Sequence, residues 1–282
     1  MYRRPQELGQ ALDWLAAARP AVLAGGTDFY PARLGEAPDA HVLDLSALGA
    51  LRGVERAGDH WRIGALTTWT ELLRAGLPPG FEALRQAAIE VGGPQIQNRG
   101  TLGGNLCNAS PAADGVPVLL ALDASVELAS LAGTRLLPVG EFLLGSRRTA
   151  RRPDELLVAI RVPDRVDRVR SRFLKLGHRR YLVISVAMVA AVVGFDDRGN
   201  ARSVALAVGA CSAAARRLPA LEAALVGLPA DRLAAHAADL LAERRHEHLA
   251  PLSPIDDVRG TARYRLDAVA TLVVRALQGL AP

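Results

Sequence analysis

The chain has 282 residues, half of them hydrophobic, and a formal net charge of +5, so it can form one large domain or two to three small ones and is too apolar to be disordered. No apolar stretch of the kind that makes a secretory signal follows Met1-Tyr2-Arg3-Arg4-Pro5, and the longest apolar run, residues 182–195, is too short for a bilayer and contains Ser185 and Gly194. Cys107 and Cys211 are isolated, without the spacing of a zinc site, an iron–sulfur site or a disulfide framework. These features lead us to expect a reducing, cytoplasmic setting, no metal site and no membrane span. The basic excess does not point to nucleic acid. Lys175 is the only lysine among 34 basic residues, and the clusters Arg147-Arg148, Arg151-Arg152 and 161–180 have almost no interleaved aromatics for base stacking, so a solvated or subunit-facing surface is expected.

In chain order, residues 5–18 have Leu8, Leu12 and Leu15 on one helical face. Residues 21–24 are a short buried strand ending in Gly25-Gly26, and residues 41–45 are a second, which makes the N-terminal portion a small βαβ-type unit. Beyond Gly53 come turns and a strand at 60–64, then helices near 68–74 and at 81–90. A Gly- and Asn-rich stretch, 92–115, is expected to be an irregular loop. Residues 125–130 alternate like an edge strand, and residues 155–162 alternate again before Pro163. The polar segment 163–172 is the best boundary in the chain. After it, residues 183–195 and 203–210 form strands joined by a turn at 196–200, and helices follow at 213–226, 229–245 and 261–280. A small sheet backed by a helix bundle is the natural arrangement of this part.

Two glycine-rich segments carry the chemistry. A pyrophosphate is held most readily by converging backbone amides, and glycine is needed where the backbone must come close or take positive φ. Ala24-Gly25-Gly26-Thr27-Asp28-Phe29 follows a buried strand and supplies such a turn, although a strand followed by Gly-Gly is often no more than a tight turn. The segment 95–114, QIQNRGTLGGNLCNASPAAD, is the more informative. Its Asn and Ser side chains need hydrogen-bond partners if buried, which a polar ligand or the loop's own backbone would supply. Thr101, Gly103, Gly104 and Asn105 are the candidates for pyrophosphate contact, with Ser110 and Asp114 reaching a ribose or ring hydroxyl. Neither G-x-G-x-x-G after a strand nor G-x-x-x-x-G-K-S/T is present, so a Rossmann or P-loop site is disfavoured. In a chain that otherwise uses arginine, Lys175 marks a place that needs a compact ammonium.

Taken in order, AGGTD, QIQNRGTLGGNLCNASPAAD, FLKLGHRRYLVISVAM and DDVRGTARYR resemble the FAD-binding medium subunit of molybdenum hydroxylases of the xanthine dehydrogenase and carbon monoxide dehydrogenase type, over essentially the whole chain. The resemblance implies an α+β fold. An FAD-binding domain at 1–165, of two α/β subdomains (about 1–54 and 55–165) like those of the vanillyl-alcohol-oxidase flavoproteins, would be followed by a C-terminal domain at 170–282. It also implies that Leu23, Ala24, Gly25, Gly26, Thr27, Asp28 and Phe29 line the pyrophosphate and adenine side of FAD. Thr101, Gly103, Gly104 and Asn105 would form the second phosphate turn, completed by Ser110 and Asp114. Leu157 would pack on the cofactor and Lys175 would lie near the isoalloxazine, stabilising charge on the reduced ring. Val91 stands where some relatives have an aromatic over the ring, and Gln97 replaces the arginine more usual before Asn98.

The implied role is electron transfer with no catalytic acid or base in this chain. A large subunit with the molybdenum cofactor would oxidise the substrate, a 2Fe–2S small subunit would relay single electrons, and FAD would pass them in pairs to NAD, quinone or oxygen. The assembly would be a heterotrimer or a dimer of heterotrimers. Within the same family the chain is also compatible with a carbon monoxide dehydrogenase medium subunit. A flavin-binding module without redox turnover is the reading from another class, and a self-contained flavin oxidase is less attractive for want of a substrate base. Of the remaining features, His246-Glu247-His248 is expected to be solvated rather than metal-binding, Cys107 to be a small filler, and Ser110 lies in no hydrolase elbow.

Overall fold

The computed structural model describes residues 1–35 and 41–280. The N-terminal unit is a parallel sheet of β1 (Tyr2–Arg3), β2 (Ala21–Leu23) and β3 (Val42–Asp44) in the order β1-β3-β2, with α1 (Leu8–Ala18) between β1 and β2. The helix buries Ala11, Leu12, Trp14 and Leu15 and stops where Arg19 turns left-handed, at φ 45°.

The chain continues through β4 (Val54–Ala57) and β5 (His60–Gly64) into five helices: α2 (Trp69–Arg74), α3 (Glu82–Glu90), α4 (Pro94–Arg99), α5 (Leu102–Asn108) and α6 (Gly115–Ala121). Thr68 caps α2 in a reciprocal capping box with Glu71. Then come β6 (Ser125–Ser130), β7 (Gly133–Pro138), the single turn α7 (Val139–Phe142), a hairpin of β8 (Leu143–Gly145) and β9 (Arg148–Thr149), and β10 (Leu156–Pro163). Strands β4-β5-β10-β6-β7 form an antiparallel sheet in that order. The second half is a four-stranded antiparallel sheet, β11 (Val169–Leu176), β12 (Ala187–Phe195), β13 (Ala201–Gly209) and β14 (Arg216–Arg217) in sequential order. It is followed by α8 (Pro219–Leu225), α9 (Leu233–Glu243), α10 (Arg245–His248) and α11 (Ala262–Gln278).

Side-chain alternation along the strands sets the layers. On β12, Met188, Ala190 and Val192 join a core with α3, α6 and the inner face of β10 (Ile160, Val162). The intervening Ala187, Val189, Ala191 and Val193 join α8, α9 and α11. A third cluster packs α1 and the small sheet on the outer face of β10, at Leu156 and Val158. Helices α3 and α6 thus lie between two sheets, and β10 is buried on both faces.

Several expectations need correction. The stretch 92–115 is not an irregular loop but largely α4 and α5. Pro94 stands in the first turn of α4, Thr101 caps α5 through a bond from the Gly104 amide, and Leu102 and Leu106 bury one face of α5. Tertiary bonds here override the poor helix propensity of Gly and Asn. Residues 125–130 are not an edge strand, because β6 lies between β10 and β7; the partner missed was β7, whose alternate residues are exposed. The helix expected at 213–226 covers only Pro219–Leu225, preceded by β14. The strand expected from 183 begins at Ala187. His248 is buried at 4% exposure, not solvated, with neither ring nitrogen hydrogen-bonded.

Candidate functional site

In open α/β sheets ligands collect beyond the carboxyl ends of the strands. Here the chain leaving β2 forms the turn 24–29, which lies against the α4–α5 junction. The contact is backbone to backbone: a Cβ on Gly25 would fall 2.0 Å from the Arg99 carbonyl oxygen and 3.0 Å from the Gly100 Cα. Gly26 takes φ +80°, a conformation that favours glycine. The Tyr30 amide closes the turn onto the Gly26 carbonyl at 3.3 Å.

This junction opens into a cleft of about 670 Å³, within the range of small-molecule sites. Of the expected residues, Ala24, Gly25, Gly26, Thr27, Asp28, Phe29, Thr101, Gly103, Gly104, Asn105 and Leu157 line it. Leu23 is buried behind the turn, and Ser110, Asp114 and Lys175 lie outside the lining.

The two glycine segments differ in what they offer. The amides of Leu102, Gly103, Gly104 and Asn105 are already bonded, to Thr67 O (3.0 Å), Ala65 O (2.9 Å), Thr101 Oγ1 (3.0 Å) and Thr101 O (3.0 Å). Their glycines serve close approach instead: a Cβ on Gly103 would meet the Ala65 carbonyl at 2.6 Å, and one on Gly104 would meet Thr101 Oγ1 at 2.8 Å. In contrast, the amides of Gly25, Gly26, Thr27 and Asp28 donate to no acceptor among the described residues. Asn105 adds a side-chain oxygen that is buried without a partner. Free amides in one concave site fit a phosphate-bearing ligand, whereas the Asn105 oxygen, itself an acceptor, needs a donor.

Arg33, Arg147 and Arg151 also line the cleft, against one acid, Asp28. Arg33 lies over the Phe29 ring, 3.8 Å from its centroid, and donates to the Phe29 carbonyl at 3.0 Å. Arg147 has φ +58°, its amide donates to Ala109 O at 2.8 Å, and its guanidinium is bonded to the Asn108 side chain. The cluster expected to be solvated or subunit-facing therefore gives two of its four arginines to the cleft. Asn108, Thr149, Trp69 and Ile96 are among the lining residues that sequence reasoning missed, and Cys107, expected to be a small filler, is exposed on the same wall. The missing signal was pairing at long range, since Asn108 and Arg147 are 39 residues apart.

A second hollow, of about 680 Å³, lies next to this one along the chain. Val91 lines the first hollow, and Glu90 lines the second with Gln86, Lys175 and Gly177. Lys175 Nζ donates to Asp114 Oδ2 at 2.8 Å and to the Glu90 carbonyl at 3.3 Å; Ser185 Oγ donates to Asp114 Oδ1 at 2.7 Å. Lys175 and Asp114 are 6% and 8% exposed. Burial raises the Asp114 carboxyl above its ordinary range, with Lys175 and Ser185 opposing that shift. Ser110 turns inward on its own segment, its Oγ accepting from the Ala112 amide at 3.3 Å. Among the described residues no cluster of His, Cys, Asp or Glu is arranged to hold a metal, and no helix is long and apolar enough to cross a membrane.

Comparisons with known proteins agree with this geometry. Residues 1–165 match the model described as the FAD binding domain in molybdopterin dehydrogenase, and residues 172–280 match the CO dehydrogenase flavoprotein C-terminal domain. The xanthine dehydrogenase FAD-binding subunit of Escherichia coli is 32% identical over 282 residues, covering 98% of this chain and 94% of its own. The carbon monoxide dehydrogenase medium chain of Afipia carboxidovorans is 32% identical over 285 residues, covering 98% and 95%. In the solved carbon monoxide dehydrogenase from Hydrogenophaga pseudoflava, one chain superposes with a TM-score of 0.86 at 28% identity, over 99% of this chain and 96% of that one.

Proposed function

This chain belongs to the FAD-binding medium subunits of molybdenum hydroxylases of the xanthine and carbon monoxide dehydrogenase type, and from that premise we propose that it takes electrons from a 2Fe–2S small subunit and delivers them to NAD, quinone or oxygen. A large subunit with the molybdenum cofactor oxidises the substrate in this reading, and the assembly is a cytoplasmic heterotrimer or dimer of heterotrimers. The division into an FAD-binding domain at 1–165 and a C-terminal domain at 170–282 belongs to the same proposal.

The observation that carries the reading is the set of free amides at Gly25, Gly26, Thr27 and Asp28, facing a cleft lined by three arginines. Those amides and arginines hold the pyrophosphate of FAD. Gly103 and Gly104 let α5 pack closely on Ala65 and Thr101 and so shape the cleft wall, which Asn105 and Leu157 also line. Bound FAD supplies the exchange between paired and single electrons. Lys175, held by Asp114 and the Glu90 carbonyl, would be a cation fixed near the flavin, where it would favour negative charge on the reduced cofactor.

The full chain is to be purified, its cofactor released and identified, and its flavin cycled with candidate acceptors. A colourless protein that never takes up FAD overturns the assignment of the cleft. Bound flavin that no acceptor reoxidises favours a non-redox module. Lys175→Met is expected to keep its flavin but lower the reduction potential, since a nearby cation is lost; an unchanged potential removes Lys175 from the ring's surroundings.

A further inference from the structure

The motif DDVRGTARYR, residues 256–265, has no part in the cleft, yet it carries one of the few buried charges in the chain. Arg265 is 3% exposed. Its Nη1 donates to the Val186 carbonyl at 2.6 Å and to the Ala210 carbonyl at 3.0 Å, and its Nη2 donates to Asp257 Oδ1 at 2.6 Å. Its Nε is buried without a partner. A guanidinium left partly unsatisfied is a poor choice for stability alone, so what its two carbonyl contacts hold becomes the question.

One carbonyl belongs to Ala210, which bonds the segment 110–114 itself, and the other to Val186, the neighbour of Ser185, which does so through its side chain. Val186 directly follows Ser185, whose hydroxyl donates to Asp114 at 2.7 Å. The Val186 amide donates to the Leu176 carbonyl at 2.8 Å, which ties it to the residue after Lys175. The Ala210 amide donates to the Pro111 carbonyl at 2.9 Å, and Ala210 takes a left-handed φ of +62° to do so. One guanidinium therefore spans the start of β12 and the end of β13, and each of these points reaches across to 110–114. Asp114 in turn places Lys175.

We propose that Arg265 is a positioning residue for the Asp114–Lys175 pair, fixing through Val186 and Ala210 the two backbone points from which the C-terminal half orients the segment 110–114. Arg265 touches neither the cleft nor the cation directly. Its effect passes through Ser185 and Pro111, so loss of the guanidinium loosens Asp114, and with it the hold on the Lys175 ammonium, while the backbone pairing of Lys175 with Met188 stays in place. The importance of this for electron transfer rests on the flavin lying beside Lys175, but the positioning itself belongs to the chain alone.

The test reads Asp114 in the flavin-free full chain, by carbon-13 NMR titration of its carboxyl, so its result does not depend on FAD. Glu90 is the other acid that bears on this carboxyl. Ser185→Ala is expected to raise the titration midpoint by about 1 pH unit, through loss of a bond to the ionised form. Arg265→Met is expected to raise it at least as much, and the double variant no further than Arg265→Met alone, because the Ser185 contact is one of the two through which Arg265 acts. A folded Arg265→Met chain with a wild-type Asp114 midpoint overturns the proposal, and so do additive shifts. If Arg265→Met does not fold, Arg265→Lys replaces it. Lysine keeps the charge but cannot span both carbonyls and Asp257, and an intermediate shift is expected; a wild-type midpoint again overturns the proposal. In flavin-loaded chain the reduction potential then reports separately whether Asp114 bears on the ring.

Discussion

Gly25 and Arg99 meet through their backbones, with the site of a Gly25 Cβ only 2.0 Å from the Arg99 carbonyl oxygen. No rotamer relieves such a contact, because both partners are main chain. Gly25→Ala is therefore expected to push the turn 24–29 off the α4–α5 junction and weaken FAD binding by at least about tenfold, or about 1.4 kcal/mol. Gly104→Val is expected to act similarly, through Thr101 Oγ1 at 2.8 Å. Gly49→Ala is the control, since nothing lies within 4 Å of its Cβ position. Flavin content and circular dichroism, measured together, separate loss of the cleft from loss of the fold.

The Lys175–Asp114 pair is buried on both sides. Removing one member strands a charge in the interior, at a cost of about 3–5 kcal/mol. Asp114→Asn should lower the denaturant midpoint accordingly without changing the slope. The double variant Asp114→Leu with Lys175→Met should be more stable than either single variant, because neither charge is then left alone.

Glu155 provides the pH test. It accepts from Arg135 at 2.5 Å and 2.9 Å and from the Arg152 amide at 2.7 Å. The Arg135 bond, against the opposing effect of burial, holds its carboxyl below the ordinary value of 4.5. With the folded value depressed, its contribution to stability is complete above about 4.5 and is lost as pH falls through the folded value. Glu155→Gln should flatten the acid limb of the stability profile and cost about 1 kcal/mol at neutral pH, a low figure because Arg135 is one-third exposed. Urea unfolding at a series of pH values measures both effects.

His248 is buried with both ring nitrogens unpartnered. Replacing an unsatisfied buried polar group with an apolar side chain of similar size relieves its desolvation. His248→Leu should raise stability by about 1 kcal/mol, seen as a higher thermal midpoint with unchanged flavin binding.

Elements with strong periodicity could be read from the sequence. The apolar run ending at residue 195 announced β12, which is buried on both faces, and the helix expected at 261–280 is α11, whose Val269, Leu272 and Val273 are committed to a core. Helices α4 and α5 were hidden. The glycines and asparagines of α5 and the short, polar sequence of α4 disfavour a helix locally, and the bonds that hold the start of α5 come from Ala65, Thr67 and Thr101. At the site, the glycine turns could be placed from composition. Which turn keeps its amides free could not, since that depends on what lies across from each. Arg147 and Ser185 escaped notice for a related reason, since each acts on a partner that only the tertiary fold brings near.

The position of α3 and α6 between two sheets has a consequence for synthesis. Their inner face packs on β10, while their other face is covered only by β11, β12 and β13, which end at Gly209. A nascent chain that has completed the cleft therefore still presents an apolar surface until about 50 further residues emerge, the span from Leu157 to Gly209. Ribosome-stalled chains ending near residue 165 should be bound by chaperones and aggregate on release, whereas chains that extend through α11, which with α8 and α9 covers the other face of β12 and β13, should not.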